Sequence, residues 1–382
     1  MSIGVSAQHE DFKDVLKLLA PGTVFREGLE NILRAKTGAL IVVGDSEEIL
    51  GIVDGGFNIN SELTSTRLYE LAKMDGAIVL SSDCERILCA NAQLVPNPDI
   101  SSMETGTRHR TAERVAKQTG ELVISISQRR DLISLYKGEK KYVLEDIRVI
   151  LAKANQAIQT LEKYRSVLDQ ALNKLSALEF QDLVTISDVA TVLQRIEMVL
   201  RIGEEIERYI DELGTEGRLI NMQLEELLAN IKDEGVLLTK DYVAPSKVLM
   251  EDDSIESEES DSAGEELIND PEEMLDDMSD LSSDDLVSLT TISKRLGYGG
   301  NMSVLDLSVS PRGYRLLRKI PRLPMPVIEN LVLEFDNFQE VLNASIDELD
   351  DVDGVGEVRA QAIKEGLKRL RDQALLEQRM HL

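Results

Sequence analysis

The stretch Met103-Glu-Thr-Gly-Thr-Arg-His-Arg-Thr111 decides how the chain is read. It opens an amphipathic helix that runs through Ala112, Val115 and Ala116 to Gly120. Thr107 is a good N-cap type, because its hydroxyl can accept from a free first-turn N–H. Arg108, His109 and Arg110 then fill the first turn. That is the wrong charge for a helix N-terminus, which carries about half a positive charge and prefers Asp or Glu. Cations placed there make sense when an anion sits among them, held by N–H groups and guanidinium forks together. A surface helix with a poor cap is the competing reading, and the stretch alone does not separate the two.

The residues around it alternate helix and strand. Residues 11–19 and 24–35 read as helices, split by Pro21-Gly22. Ala39 to Val43 is a continuous aliphatic run of the kind that fills a strand buried on both faces. A short strand and turn follow over residues 51–56, and a helix over 65–73. Ala77 to Leu80, Ile87 to Ala90, Leu122 to Ile126 and Leu132 to Tyr136 are further strands. The pattern predicts a mixed sheet covered on both faces. The turn Met74-Asp75-Gly76 enters one strand, and Ser127-Gln-Arg-Arg130 leaves another. Asp-Gly is usually a plain turn. The functional alternative is a metal carboxylate beside a backbone that admits a nucleotide.

With 382 residues the chain holds two or three domains. The net charge is -28, and residues 251–285 carry seventeen Asp and Glu with no Lys or Arg. That excludes a general nucleic-acid coat protein and predicts a mobile acidic insert. Cys84 and Cys89 lack metal or disulfide spacing and read as small core residues. No export signal and no membrane-length apolar run is visible, which predicts a soluble cytoplasmic protein.

Residues 145–178 and 187–213 carry apolar stripes at helical spacing, and a third helix covers 219–231. They predict an all-α bundle closed by Pro245, with a further helix over 286–296 ended by Gly297-Tyr298-Gly299-Gly300. Near the C-terminus, Gly354-Val355-Gly356 joins a helix over 346–349 to one that begins near Glu357. Such a hairpin brings backbone N–H groups close to a phosphate oxygen and positions DNA without reading its sequence. A degenerate second copy precedes it at Leu323-Pro-Met-Pro326. Arg359, Lys364, Lys368, Arg369 and Arg371 alternate with Asp350, Asp351 and Asp353, which predicts weak, salt-sensitive binding.

The two motifs Lys73-Met-Asp-Gly-Ala-Ile and Gly106-Thr-Arg-His-Arg-Thr-Ala-Glu-Arg stand about thirty residues apart. Together they resemble the Asp-Gly-Ala and Arg-His-Arg signatures of the diadenylate cyclases. The order of parts is similar to the DNA-integrity-scanning members of that family. The resemblance implies an α/β mixed-sheet cyclase domain over 1–144, a helical linker over 145–300 and a helix-hairpin-helix domain over 301–382. It implies condensation of two ATP into cyclic di-AMP with loss of two pyrophosphates, aided by Mg2+ or Mn2+. Asp75 would hold the metal and activate the 3′-hydroxyl, while Gly76 and Leu94 would line the nucleotide site. Thr107, Arg108, His109, Arg110 and Thr111 would hold the phosphates, and Arg130 would reach the γ-phosphate. Gly354, Val355 and Gly356 would bind branched or damaged DNA, in a nucleoid-associated homo-octamer without membrane contact. The rival readings are a DNA-binding scaffold that only senses ATP, and a nucleotidyltransferase with a separate acceptor.

Overall fold

Alternation along the run Ala39–Val43 divides one half of the molecule into two cores. Ala39, Ile41 and Val43 face one core, and Leu40 and Val42 the other. The structure is a computed structural model that describes residues 12–244 and 270–380. By contacts the chain divides into two units. One holds Met1–Ile158 with Glu205–Gln223, the other Gln159–Glu204 with Leu224–Leu382.

The first unit is built on one sheet. Its strands are β1 (Ala39–Val43), β2 (Val53–Asp54), β3 (Phe57–Glu62), β4 (Ala77–Leu80), β5 (Arg86–Leu94), β6 (Leu122–Ser127), β7 (Leu132–Lys137) and β8 (Lys140–Leu144). Their order is β2-β5-β4-β1-β6-β7-β8, with β3 also paired to β5. β1 and β4 are parallel, and every other pairing is antiparallel, so the sheet is mixed as expected. Residues 12–18 and the helix Val24–Arg34 cover one face, burying Phe12, Leu16, Leu29 and Ile32. The helix Thr107–Thr119 covers the other through Ala112, Val115 and Ala116. The segment 205–223 belongs to this unit: the Tyr142 hydroxyl donates to Glu212, and Thr215 Oγ1 donates to the Pro21 carbonyl at 3.1 Å.

Three local expectations are corrected. The sequence pattern leaves 57–62 and 140–144 without an element, yet both are strands. β3 has mostly exposed side chains and β8 begins with two lysines, so neither shows the apolar signal of a buried strand. Residues 47–51 are a helix capped by Ser46, where only a strand and turn were read nearby. Both cysteines are buried and free, in line with their reading as core residues.

From Ile147 onward the described chain is almost wholly helical. The long helices Ile147–Gln181 and Ile186–Leu213 follow the predicted stripes. The expected third helix, over 219–231, is Arg218–Leu228, ending where Asn230 sits at φ 62°, and a further helix that the sequence reading did not include, Ile231–Tyr242, follows it. The helix expected over 286–296 is also two, Ser283–Val287 and Leu289–Arg295.

The acidic stretch 251–285 is corrected in its second half. Asp270 caps a helix Pro271–Ser279 with Glu272 and Glu273 in its first turn, where negative charge suits the helix dipole. Met274, Leu275 and Met278 share one face of that helix and are buried. Three apolar anchors on one face outweigh a polar composition. Residues 251–269, Pro245 and the first eleven residues lie outside the described part.

Candidate functional site

Strand register assembles one end of the sheet. Ala77 of β4 pairs with Ala92 of β5, antiparallel, so the turn that carries Asp75 and the end of β5 at Leu94 lie at the same end of the sheet. Ile41 pairs with Ile78 in parallel, so β1 and β4 enter from the same end. Ala39 pairs with Ile126, antiparallel, so the turn after Ser127 leaves at that end too. Gly38, Asp75, Gly76, Leu94 and Ser127 to Arg130 therefore share one edge of the fold.

The Arg-His-Arg helix delivers cations to it. The guanidinium of Arg108 lies against Gly38: a Cβ at Gly38 would stand 2.2 Å from Arg108 Nη1, 2.9 Å from its Cζ and 3.2 Å from the Ile126 carbonyl. Only glycine leaves room for that arginine. His109 is partly buried, and its Nδ1 stands 3.1 Å from the Tyr136 hydroxyl. Burial holds its pKa below the usual imidazole value. Lys141, Arg130 and Arg108 press the same way, against Glu104. Arg108 and Arg130 thus both lie near enough to His109 to act on it through space.

The remaining candidates are placed less centrally. Arg110 is exposed and folds back, Nε donating to the Glu104 carbonyl at 3.4 Å and Nη2 to that of Thr105 at 3.5 Å. Thr107 is exposed and is the first helical residue rather than the cap. Gly106 occupies the cap and offers no side-chain bond, which corrects the capping assignment. The N–H groups of that turn keep no side-chain acceptor at the cap, as an anion site requires. Thr111 is half-buried. Leu94 ends β5 with its side chain in the core beside Val115, so its backbone rather than its side chain is left at the edge. The missing side chain of Gly76 is taken up by the protein itself. A Cβ there would stand 2.3 Å from the Asn91 carbonyl carbon and 2.7 Å from Ala92 N.

Asp75 is exposed and bonds to no described residue. Among the described residues no cluster of three or more His, Cys, Asp or Glu is placed to hold a metal. A single hard carboxylate fits an ion that arrives on phosphate oxygens, as Mg2+ usually does. Sequence reasoning missed Gly38, Glu104, Tyr136 and Lys141. The only sequence signals were a glycine just before a buried strand and an acid inside the motif stretch itself.

The second unit carries the hairpins. The helix Ile346–Asp350 opens with a capping box from Ser345 and Glu348, and Gly356–Met380 begins one residue before the expected start. Gly354 has φ 81° and Gly356 φ 62°, and Val355 N donates to the Val352 carbonyl at 3.0 Å. The Val355 side chain is core, so any contact it makes with a ligand is through its backbone. The earlier copy has the same build between Tyr314–Arg318 and Met325–Glu334. Arg322 has φ 65°, and Ile320 and Leu323 are buried as Val352 and Val355 are. Arg318, Lys319, Arg322 and Arg359 line one concavity there.

Three family models match the chain. The model described as DisA bacterial checkpoint controller nucleotide-binding matches residues 26–141. The DisA bacterial checkpoint controller linker region matches 144–305, and the helix-hairpin-helix motif 337–366. The DNA integrity scanning protein DisA of Carboxydothermus hydrogenoformans is 59% identical over 360 residues, covering 94% of this chain and 96% of that one. That of Symbiobacterium thermophilum is 58% identical over 97% of this chain and 98% of its own. That of Clostridium botulinum strain Loch Maree is 54% identical over 96% and 98%. With a nucleotide-binding sheet, a helical linker and a terminal hairpin matched in order, the chain belongs to the DNA integrity scanning protein (DisA) family.

Proposed function

We propose that the chain is a diadenylate cyclase that joins two ATP into cyclic di-AMP and releases two pyrophosphates. The observation that carries this reading is the meeting of Asp75, Arg108, His109 and the Arg130 turn at one sheet edge, on register and contact alike. In it Gly76 and Leu94 line the nucleotide site. Arg108, Arg110, Thr107, Thr111 and the first-turn N–H groups hold the phosphates, with Arg130 toward the γ-phosphate. A Mg2+ or Mn2+ ion held by Asp75 and phosphate oxygens would favour loss of the 3′-hydroxyl proton and reduce charge on the phosphates. The arginines offset the charge that grows on the departing pyrophosphate. Little covalent work falls to the protein, so positioning carries most of the rate.

One site holds one nucleotide, and the product is symmetric, so two copies must present their nucleotides to each other. That calls for paired cyclase domains, in our reading within a homo-octamer. We assign the cyclase to residues 1–144, a linker to 145–300 and DNA binding to 301–382, where Gly354 to Gly356 grip the backbone of branched or damaged DNA. A cytoplasmic, nucleoid-associated setting follows from that reading. Among the described residues, no helix is long and apolar enough to cross a membrane. A mass spectrum of products after incubation with ATP and Mg2+ or Mn2+ tests the proposal. A cyclic dinucleotide at half the molar amount of pyrophosphate is expected. No product from protein that binds ATP would favour the sensing scaffold, and a nucleotide joined to an added acceptor would favour the other transferase.

A further inference from the structure

Behind the Arg-His-Arg motif runs a chain of hydrogen bonds that the reaction as outlined does not use. Lys141 Nζ of β8 donates to Glu104 Oε1 at 2.5 Å. The hydroxyl of Tyr136, on β7, lies 2.9 Å from the same oxygen and 3.1 Å from His109 Nδ1. Tyr136 is 1% exposed, so water does not compete for its hydroxyl.

The direction of each bond follows from valence. Burial works against the charge on Glu104. The bonds from Lys141 and Tyr136 outweigh it and hold the carboxyl below its usual range. An ionised carboxylate only accepts. Tyr136 keeps its proton, since burial pushes its pKa far above neutrality, and has one hydrogen to give. That hydrogen goes to Glu104. What faces His109 is a lone pair of the phenol oxygen. Nδ1 must therefore carry a hydrogen, and in the neutral ring Nε2 is bare. No described residue bonds to Nε2.

We propose that Glu104 and Tyr136 are positioning residues that lock His109 as the Nδ1–H tautomer, leaving Nε2 to take up a proton when a triphosphate binds. The second half rests on the nucleotide-binding reading above; the first does not. A bare Nε2 repels a phosphate oxygen, whereas a protonated one donates to it. The groups that face the ring are Glu104, Lys141, Arg108, Arg130 and Tyr136, and the three cations oppose a charge on it. A bound triphosphate reverses that balance, because nearby negative charge favours the imidazolium. Nucleotide binding and proton uptake are then linked, so each strengthens the other.

The test uses full-length protein labelled with 15N in histidine, of which there are only three, His9, His109 and His381. His109→Gln identifies the His109 ring signals by their disappearance. Without nucleotide at neutral pH, Nδ1 is expected to be protonated and Nε2 not. Adding a non-hydrolysable ATP analogue should protonate both. Tyr136→Phe should release the tautomer while His109 remains neutral. The affinity for the analogue should fall by up to about tenfold per pH unit between the pKa of His109 in the free protein and its higher pKa in the complex, and level off above that, and His109→Gln should remove that dependence. An Nε2–H tautomer in the wild type, or an unchanged ring in Tyr136→Phe, overturns the lock. A ring that stays neutral with the analogue bound overturns the proton uptake. An analogue that does not bind overturns the nucleotide reading and the uptake together, while the spectrum without nucleotide still decides the lock.

Discussion

A missing side chain at Gly38 and another at Gly76 serve different ends, although both glycines border the same sheet edge. At Gly38 the obstacle to a Cβ is chiefly the far end of a flexible arginine; at Gly76 it is backbone. Gly38→Ala should therefore push Arg108 aside with a stability loss of about 1 kcal/mol or less, and lower kcat/KM at least about tenfold. Gly76→Ala should instead destabilise the fold by about 3 kcal/mol through overpacking. Urea unfolding of each variant beside its cyclase rate distinguishes the two, and a Gly38→Ala enzyme with full activity would remove Arg108 from the phosphate site. Asp75 is the opposite case, exposed and bonded to no described residue. Asp75→Asn should abolish product with a midpoint of unfolding unchanged within about 0.5 kcal/mol. A large loss of stability there would make the residue structural. The sequence shows Asp75 and Arg108 through their motifs, but it hides Gly38, because what that glycine accommodates is 70 positions away in the chain.

Elements with a strong period were legible and those held by tertiary contacts were not. Five consecutive aliphatics announce β1, whereas β3 and β8 are strands because neighbours complete their ladders. The helix Pro271–Ser279 was masked by its acidic surroundings, although its cap, its proline and its apolar face are all present in the sequence. The helix Tyr314–Arg318 shows a device with no sequence pattern at all. Asp241 Oδ1 accepts from the N–H groups of Gly313 and Tyr314, both at 2.7 Å, and Oδ2 from that of Arg315 at 3.0 Å. Arg315, fully buried, pairs with Glu179 and with Glu234. Asp241→Ala strands three donors and unbalances that charge, and should cost the second unit about 3 kcal/mol. Burial, with the charge of Glu179, pushes Asp241 up to about 7 from 3.8, against the bonds from Arg315 and Gly313. The folded chain then holds this proton where the unfolded chain has lost it. The contribution is full below pH 3.8 and is lost as pH rises to about 7. Subtracting the urea stability of Asp241→Asn from that of the wild type should leave this falling profile, and parallel profiles would refute it. At the hairpin, Gly356 at φ 62° cannot take a side chain without strain of about 1–2 kcal/mol. Gly356→Ala should weaken branched-DNA binding about tenfold while cyclase activity without DNA is retained, as fluorescence anisotropy with a labelled junction would show.

At the scale of the whole molecule, the decisive constraint in the proposed reaction is that a single site cannot make the product. In that reading each copy brings one phosphate-binding edge, and both bonds of the ring need a nucleotide presented by another copy. Activity should therefore depend on pairs of chains, and a defective chain should poison a sound one. Asp75→Asn is suited to this, with size-exclusion chromatography of the variant expected to show the wild-type assembly. When wild type and variant are unfolded and refolded together in equal amounts, about one quarter of the pairs have two sound sites. Product formed per total chain should then be about a quarter of the wild-type value, not a half. As the variant is increased further, the rate should follow the square of the wild-type fraction. The same mixtures made without refolding, and measured before chains exchange, should give a half, which controls for simple dilution. A linear dependence in the refolded mixtures would mean that one copy completes the reaction alone, and the head-to-head arrangement would be abandoned.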